Sequence, residues 1–133
     1  MNKEQLRKLY LDFLTEEGYK GYVDEDGDIE FNFEGDKYVL YIDVNDPEYF
    51  RLQSGYICDI DSEEDIFNLL AAANAVNTEY KLGRIYIKLE KKLILLETTL
   101  FLAHPNNFKP FLKRCLGILQ SMASDFADKL NVE

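Results

Sequence analysis

Apolar and polar positions change period several times along the chain, and each change marks an element. Leu6, Leu9, Tyr10, Phe13 and Leu14 recur at three- and four-residue spacing, which predicts a helix capped by Asn2 and stopped by Gly18. The period then falls to two. Ile29, Phe31 and Phe33 alternate with Asp28, Glu30, Asn32 and Glu34, as in a strand with one buried face, and Tyr22-Val23 predicts a short strand before it. The runs 37–44 and 48–60 continue an antiparallel meander, parted by the turn chemistry of Glu34-Gly35-Asp36 and Asn45-Asp46-Pro47. Ser54-Gly55 is expected to bulge or bend the last of these strands.

A second helix is predicted from Asp61 or Ser62 to about Asn77, with an approximate capping box and acids at its positive end. Ile85, Ile87 and Leu89 then alternate with Tyr86, Lys88 and Glu90, and a tight turn near residues 90–92 leads into LILLETTLFL. That last strand is apolar on both faces in part, which predicts a central place in the sheet or cover on both sides. Finally Phe108, Phe111, Leu112, Cys115, Leu119, Met122, Phe126 and Leu130 mark an amphipathic helix of about 24 residues. The expectation is one α+β domain over residues 1–133, in the order α-β-β-β-β-α-β-β-α, with an antiparallel sheet and helices packed on it.

The second helix is unusual in composition. Its sheet-facing stripe is predicted to be Ile66, Leu69, Leu70, Ala73 and Val76, while Asn68, Ala71, Ala72 and Ala75 lie opposite, where a solvated helix carries charge. Small uncharged residues there predict a second cover: the first or last helix of the same chain, or another molecule. Asn68, Ala71, Ala72 and Ala75 are therefore candidates for self-association in a homodimer. Asn77 falls within the sheet-facing stripe and Asn74 borders it; both are expected to act structurally, binding helix-end or strand backbone. Tyr38, Tyr41 and Phe50 are candidates for a groove that receives a partner.

Charge narrows the functional classes. The chain is 47% hydrophobic with a net charge of −10, within the range of folded proteins. Residues 1–80 hold 20 acids and 6 bases, whereas residues 81–133 hold 5 acids and 9 bases. So acidic a chain supplies few cations for phosphate backbones, and nucleic acid is not an expected partner. No leader pattern and no apolar run of membrane length is found, which predicts a cytoplasmic protein without a membrane association. Cys58 and Cys115 lack metal or redox spacing and are expected to be reduced.

Candidate chemistry is sparse. DEDGDIE (24–30) places Gly27 fourth and Gly35 twelfth, against the Gly at six and Glu at twelve of a calcium loop, so a hairpin turn on Asp26-Gly27 is expected and no metal. His104, the only histidine, has no Ser or Cys nearby in sequence and reads as a residue that starts a helix. No phosphate-cradling or nucleophile-elbow motif occurs, so neither an enzyme nor a cofactor is expected.

The segments IEFNFEGDKYVLYID and DIFNLLAAANAVNTEYKLGRIYIKLE, followed by the long helix from Asn106, resemble YbjN-like proteins, a family described in terms of sensory transduction regulation. The resemblance covers almost the whole chain. It implies the fold of class I type III secretion chaperones and a small cytoplasmic binding protein, often a homodimer, that holds extended segments of another protein. The resulting expectation is a non-enzymatic, chaperone-like or regulatory module with a protein partner. The charge pattern leaves a second reading open, an acidic inhibitor or immunity-type protein that masks a basic partner.

Overall fold

The computed structural model describes residues 1–130; the last three positions of the expected 1–133 domain lie outside them. Helix α1 (Lys3–Glu16) is followed by strands β1 (Tyr22–Val23), β2 (Ile29–Phe33), β3 (Asp36–Leu40) and β4 (Tyr49–Ile57). Then come α2 (Glu63–Asn77), β5 (Gly83–Lys88), β6 (Leu93–Phe101) and α3 (Lys109–Leu130). All strand pairs are antiparallel, in the order β1-β2-β3-β4-β6-β5. The α+β order read from periodicity is the one observed. β6, last in sequence among the strands, lies between β4 and β5, which accounts for its apolar residues on both faces.

Local chemistry sets the element ends. The Asn2 side chain accepts from the Gln5 N–H at 2.9 Å while Gln5 Oε1 accepts from the Asn2 N–H at 2.9 Å, a reciprocal capping box. Ser62 caps α2 by accepting from the Asp65 N–H, and the Asp65 carboxylate accepts from the Asp61 N–H. Between β2 and β3 both Glu34 and Gly35 have positive φ, the geometry of a two-residue turn matched to strand twist. The expected bulge at Ser54-Gly55 is not formed: Ser54 faces Leu96 and Gly55 faces Leu95 without a slip. Gly55 serves close approach instead, since a Cβ there would stand 3.0 Å from Leu95 Cδ2.

Register divides the sheet into two unlike faces. Ile29, Leu40 and Leu52 align across β2–β4, and Phe31, Tyr38, Ser54, Leu96 and Ile85 align across all five longer strands. These side chains are buried with Leu6, Tyr10 and Leu14 of α1, Leu69 and Val76 of α2, and Leu112, Leu116, Leu119 and Met122 of α3. All three helices therefore cover one face, and among the described residues no helix covers the other. Phe108, in a 3-10 turn before α3, packs edge-on to Tyr10 and Phe13. On the predicted α3 stripe Phe111 and Leu130 stay partly exposed, and Leu116 is buried beside it.

Helix α2 is turned relative to expectation. Leu69, Ala72, Ala73 and Val76 are buried, whereas Leu70 is 46% exposed and Phe67 69% exposed. The cause is a second neighbour. α2 packs on both β5 and α3, so its buried arc shifts toward α3, drawing Ala72 in and Leu70 out. The Tyr80 hydroxyl donates to the Asp125 carboxylate and Lys129 pairs with Glu79 at 3.2 Å, tying the end of this helix region to α3.

Candidate functional site

The uncovered face of the sheet carries a polar cluster at its centre. Glu97 on β6 faces Gln53 on β4 and Arg84 on β5, with Arg51 one pleat further along β4. Its carboxylate is 1% exposed although no helix covers it, because these side chains close over it. Arg51 Nε donates to Glu97 Oε2 at 2.9 Å, Arg84 Nε to Oε1 at 2.9 Å, and Arg84 Nη2 also donates to Oε1. Gln53 Nε2 donates to the same carboxylate at 2.9 Å and lies 3.0 Å from the Tyr86 hydroxyl, while the Tyr41 hydroxyl donates to Gln53 Oε1 at 2.6 Å. The Arg51 guanidinium stacks on the Tyr41 ring at 4.1 Å and that of Arg84 on Tyr86 at 4.8 Å.

Burial alone would push the Glu97 carboxyl up, but the hydrogen bonds and charges of Arg84 and Arg51 outweigh it and hold its pKa below the ordinary value. The glutamate is thus an anion fixed inside a surface cluster. Around it the same face is apolar. Leu93, Leu95 and Ile57 lie on one side and Tyr49 and Phe101 on the other, with Ile57 85% and Phe101 77% exposed.

Tyr41 is the one expected groove residue found on this face. Tyr38 and Phe50, expected beside it, face the helices instead and are 1% and 0% exposed. Strand parity explains the correction. Tyr38 pairs with core-facing Ser54 and Phe50 with Leu100, so both point away from solvent, and burial raises the Tyr38 hydroxyl's pKa.

Asn68, Ala71, Ala72 and Ala75 are brought together in a groove of about 800 Å³ between α2 and the end of α3, closed by Glu64, Lys129 and Leu130. Ala72 is buried there and Ala71 is exposed. A second cleft of about 490 Å³ lies between α3 and the core face of the sheet, walled by Tyr56, Ile94, Leu96, Ala123 and Phe126. Asn77 donates from Nδ2 to the Ile85 carbonyl at 2.9 Å and accepts from the Ile85 N–H at 2.8 Å, pairing with edge strand β5 as a neighbouring strand would. Asn74 is exposed.

Other candidates form local structure. Asp24 Oδ1 accepts from the Asp26 and Asp28 N–H groups and Gly27 has φ +86°, which builds a tight turn. The three carboxylates come within 4.8 Å of one another. His104 Nδ1 accepts from the Asn106 N–H at the start of the 3-10 turn before α3. Cys115 is buried, which pushes its thiol up, and Cys58 is half-buried; both are free. No helix among the described residues is long and apolar enough to cross a membrane.

The Glu97 cluster escaped sequence reading, although its signal is present. Glu97 interrupts an apolar run, and Arg51/Gln53 and Arg84/Tyr86 each alternate at period two. Which residues share a level depends on pairing β6 between β4 and β5, and that is a tertiary fact.

The YbjN family, described as "Putative bacterial sensory transduction regulator", matches residues 11–131. No curated protein matches the chain significantly by sequence. Among solved structures, YbjN from E. coli superposes with a TM-score of 0.67 at 12% identity, covering 88% of this chain and 86% of that one. The ExsC–ExsE complex gives 0.67 at 15% identity, covering 98% and 97%. The HopA1–SchA chaperone–effector complex gives 0.60 at 18%, covering 91% and 92%. These identities establish a common fold. Since the family match spans nearly the whole sequence, from the middle of α1 through α3, the chain belongs to the YbjN family.

Proposed function

We propose that this protein is a non-enzymatic, chaperone-like or regulatory module of the cytoplasm that holds a segment of a partner protein on its surface. The observation that carries this reading is the sheet face opposite the helices, where Ile57 and Phe101 stand open around a fixed polar centre. Exposed apolar side chains on either side of a fixed polar cluster favour docking of another chain. The fold supports the same reading: it is shared with proteins solved in the ExsC–ExsE and HopA1–SchA complexes, the latter described as chaperone and effector. β1 pairs only two residues of β2, so the β2 edge beyond Glu30 offers backbone groups for strand addition.

The test is affinity capture from native lysate with the wild type and with Ile57→Asp/Phe101→Asp. A specific partner retained by the wild type at low and high salt, and lost by the variant, is expected. Equal retention by the variant would remove the sheet face from the reading. Retention of a basic protein at low salt only would favour charge masking by the acidic N-terminal portion.

Self-association is a separate part of the proposal. The groove holding Asn68, Ala71, Ala72 and Ala75 adjoins exposed Phe67 and Leu70 on the same helix, so α2 offers small and large apolar surfaces side by side. A twofold contact can use both at once, each copy's large residues meeting the other's small ones.

A further inference from the structure

The open sheet face has a charge of its own. Its strands carry Glu30, Lys37, Arg51, Arg84, Lys88 and Glu97, four cations and two anions in a chain of net charge −10, and the Asp28 carboxylate reaches the face from the turn before β2, near Arg51 and Tyr41. Lys37 pairs with Glu30 at 3.5 Å, and the single carboxylate of Glu97 is shared by two guanidinium groups. Over the whole face one cation remains in excess, and Arg84, on which Asp28 does not act, is the less neutralised of the two guanidinium groups. The hydrogen bonds to Glu97 use three of the ten N–H donors that two guanidinium groups possess. The Arg51 and Arg84 side chains are 30% and 63% exposed, and stacking on Tyr41 and Tyr86 fixes their planes.

Buried Glu97 orients both arginines without neutralising both, and a pre-oriented guanidinium binds a carboxylate through paired N–H donors with little further ordering. The arginines flank β6 from β4 and β5, so about 10 Å separates their strands. Along β6 the open apolar patch at Ile57 and Leu93 lies on one side of this centre and that at Phe101 on the other, a span of roughly 26 Å at about 3.3 Å per residue. An occupant matching this layout is extended, acidic at its middle and apolar to either side.

Building on the docking role of this face, we infer that Arg51 and Arg84 form a carboxylate-reading site and that the segment held there is an acidic protein segment, with Asp or Glu interleaved with apolar side chains. The excess charge attracts the acid, the open apolar patches take its neighbours, and the net acidity of the rest of the chain repels acidic ligands elsewhere.

The probe is a synthetic eight-residue peptide alternating valine and glutamate, with counterparts carrying glutamine or lysine at each glutamate, and a ten-nucleotide oligothymidylate. Titrations follow the backbone amides and the arginine Nε–H signals by NMR. The glutamate peptide is expected to move the Arg51 and Arg84 signals and the amides of β4, β6 and β5, and to bind about tenfold more tightly than the glutamine peptide. Arg84→Gln, which leaves Glu97 paired with Arg51 alone, is expected to lose about tenfold in affinity with a native-like amide spectrum and a lowered melting temperature, and Arg84→Lys, which keeps the charge, to lose less of both. Equal binding of the glutamate and glutamine peptides would overturn acid recognition while leaving apolar docking on Ile57 and Phe101 in place. Preference for the lysine peptide or the oligothymidylate, binding without change at the two arginines, or no binding of the glutamate peptide would each overturn the inference.

Discussion

Glu97 combines nearly complete burial with a negative charge, a combination that persists only when the charge is paired and hydrogen-bonded. An amide there keeps one acceptor oxygen but removes the charge and turns an NH2 toward donors of Arg51, Arg84 or Gln53. Glu97→Gln is expected to lower stability at pH 7 by about 1–3 kcal/mol, less than for a fully buried pair because both guanidinium groups reach solvent. The pKa of Glu97 is depressed in the folded state, so its contribution is complete above the ordinary value of 4.5 and is lost as pH falls through the lower folded value. Urea midpoints of wild type and variant should therefore differ at pH 7 and converge in the acid range below 4.5. A constant difference across both conditions would show that the loss is packing rather than charge. At the same scale, Tyr38 and Phe50 show how one pleat decides a role: each has the aromatic character of a contact residue, but its parity places it under the helices.

The contact between α2 and β5 is the element most dependent on a single side chain. Asn77 supplies both a donor and an acceptor to Ile85, satisfying backbone groups on the outer edge of β5. An uncovered edge strand invites pairing with other chains, so the amide both stabilises the sheet and shields it. Asn77→Ala is expected to destabilise by about 1–3 kcal/mol and to speed hydrogen exchange at the Ile85 amide more than at β4 amides. Uniform acceleration across the sheet would indicate global destabilisation alone. The existence of α2, its Ser62 cap and its end near Asn77 are legible in the sequence. Its rotation about its own axis is not, because α3 competes with β5 for the same face and draws in Ala72 at the expense of Leu70.

For the whole molecule, the proposed self-association through α2 makes a direct prediction. Ala71 is exposed in the groove between α2 and α3, whereas Ala72 is buried, so a charge at 71 tests association without disturbing the core. Ala71→Glu is expected to convert a dimer to a monomer in sedimentation velocity at an unchanged melting temperature. A wild type that sediments as a monomer at high concentration would remove self-association from the reading. The acids are concentrated in residues 1–80, while Arg51, Arg84 and Lys88 stand on the open sheet face. α2 lies on the helix-covered face, so a contact through α2 would leave the open sheet face available to a partner segment.

By itself the sequence determined the number, type and order of the elements, because hydrophobic period and capping chemistry act over a few residues and are written locally. It also narrowed β6 to a central place in the sheet or to cover on both faces, and strand pairing chose the first. Tertiary structure alone decided which aromatic side chains are presented and which are buried, how α2 is rolled, and that Arg51, Gln53, Arg84 and Glu97 meet. The physical reason is the same in each case. Residues distant in sequence become neighbours only through strand register and helix packing, and one step of register exchanges the faces of a whole strand.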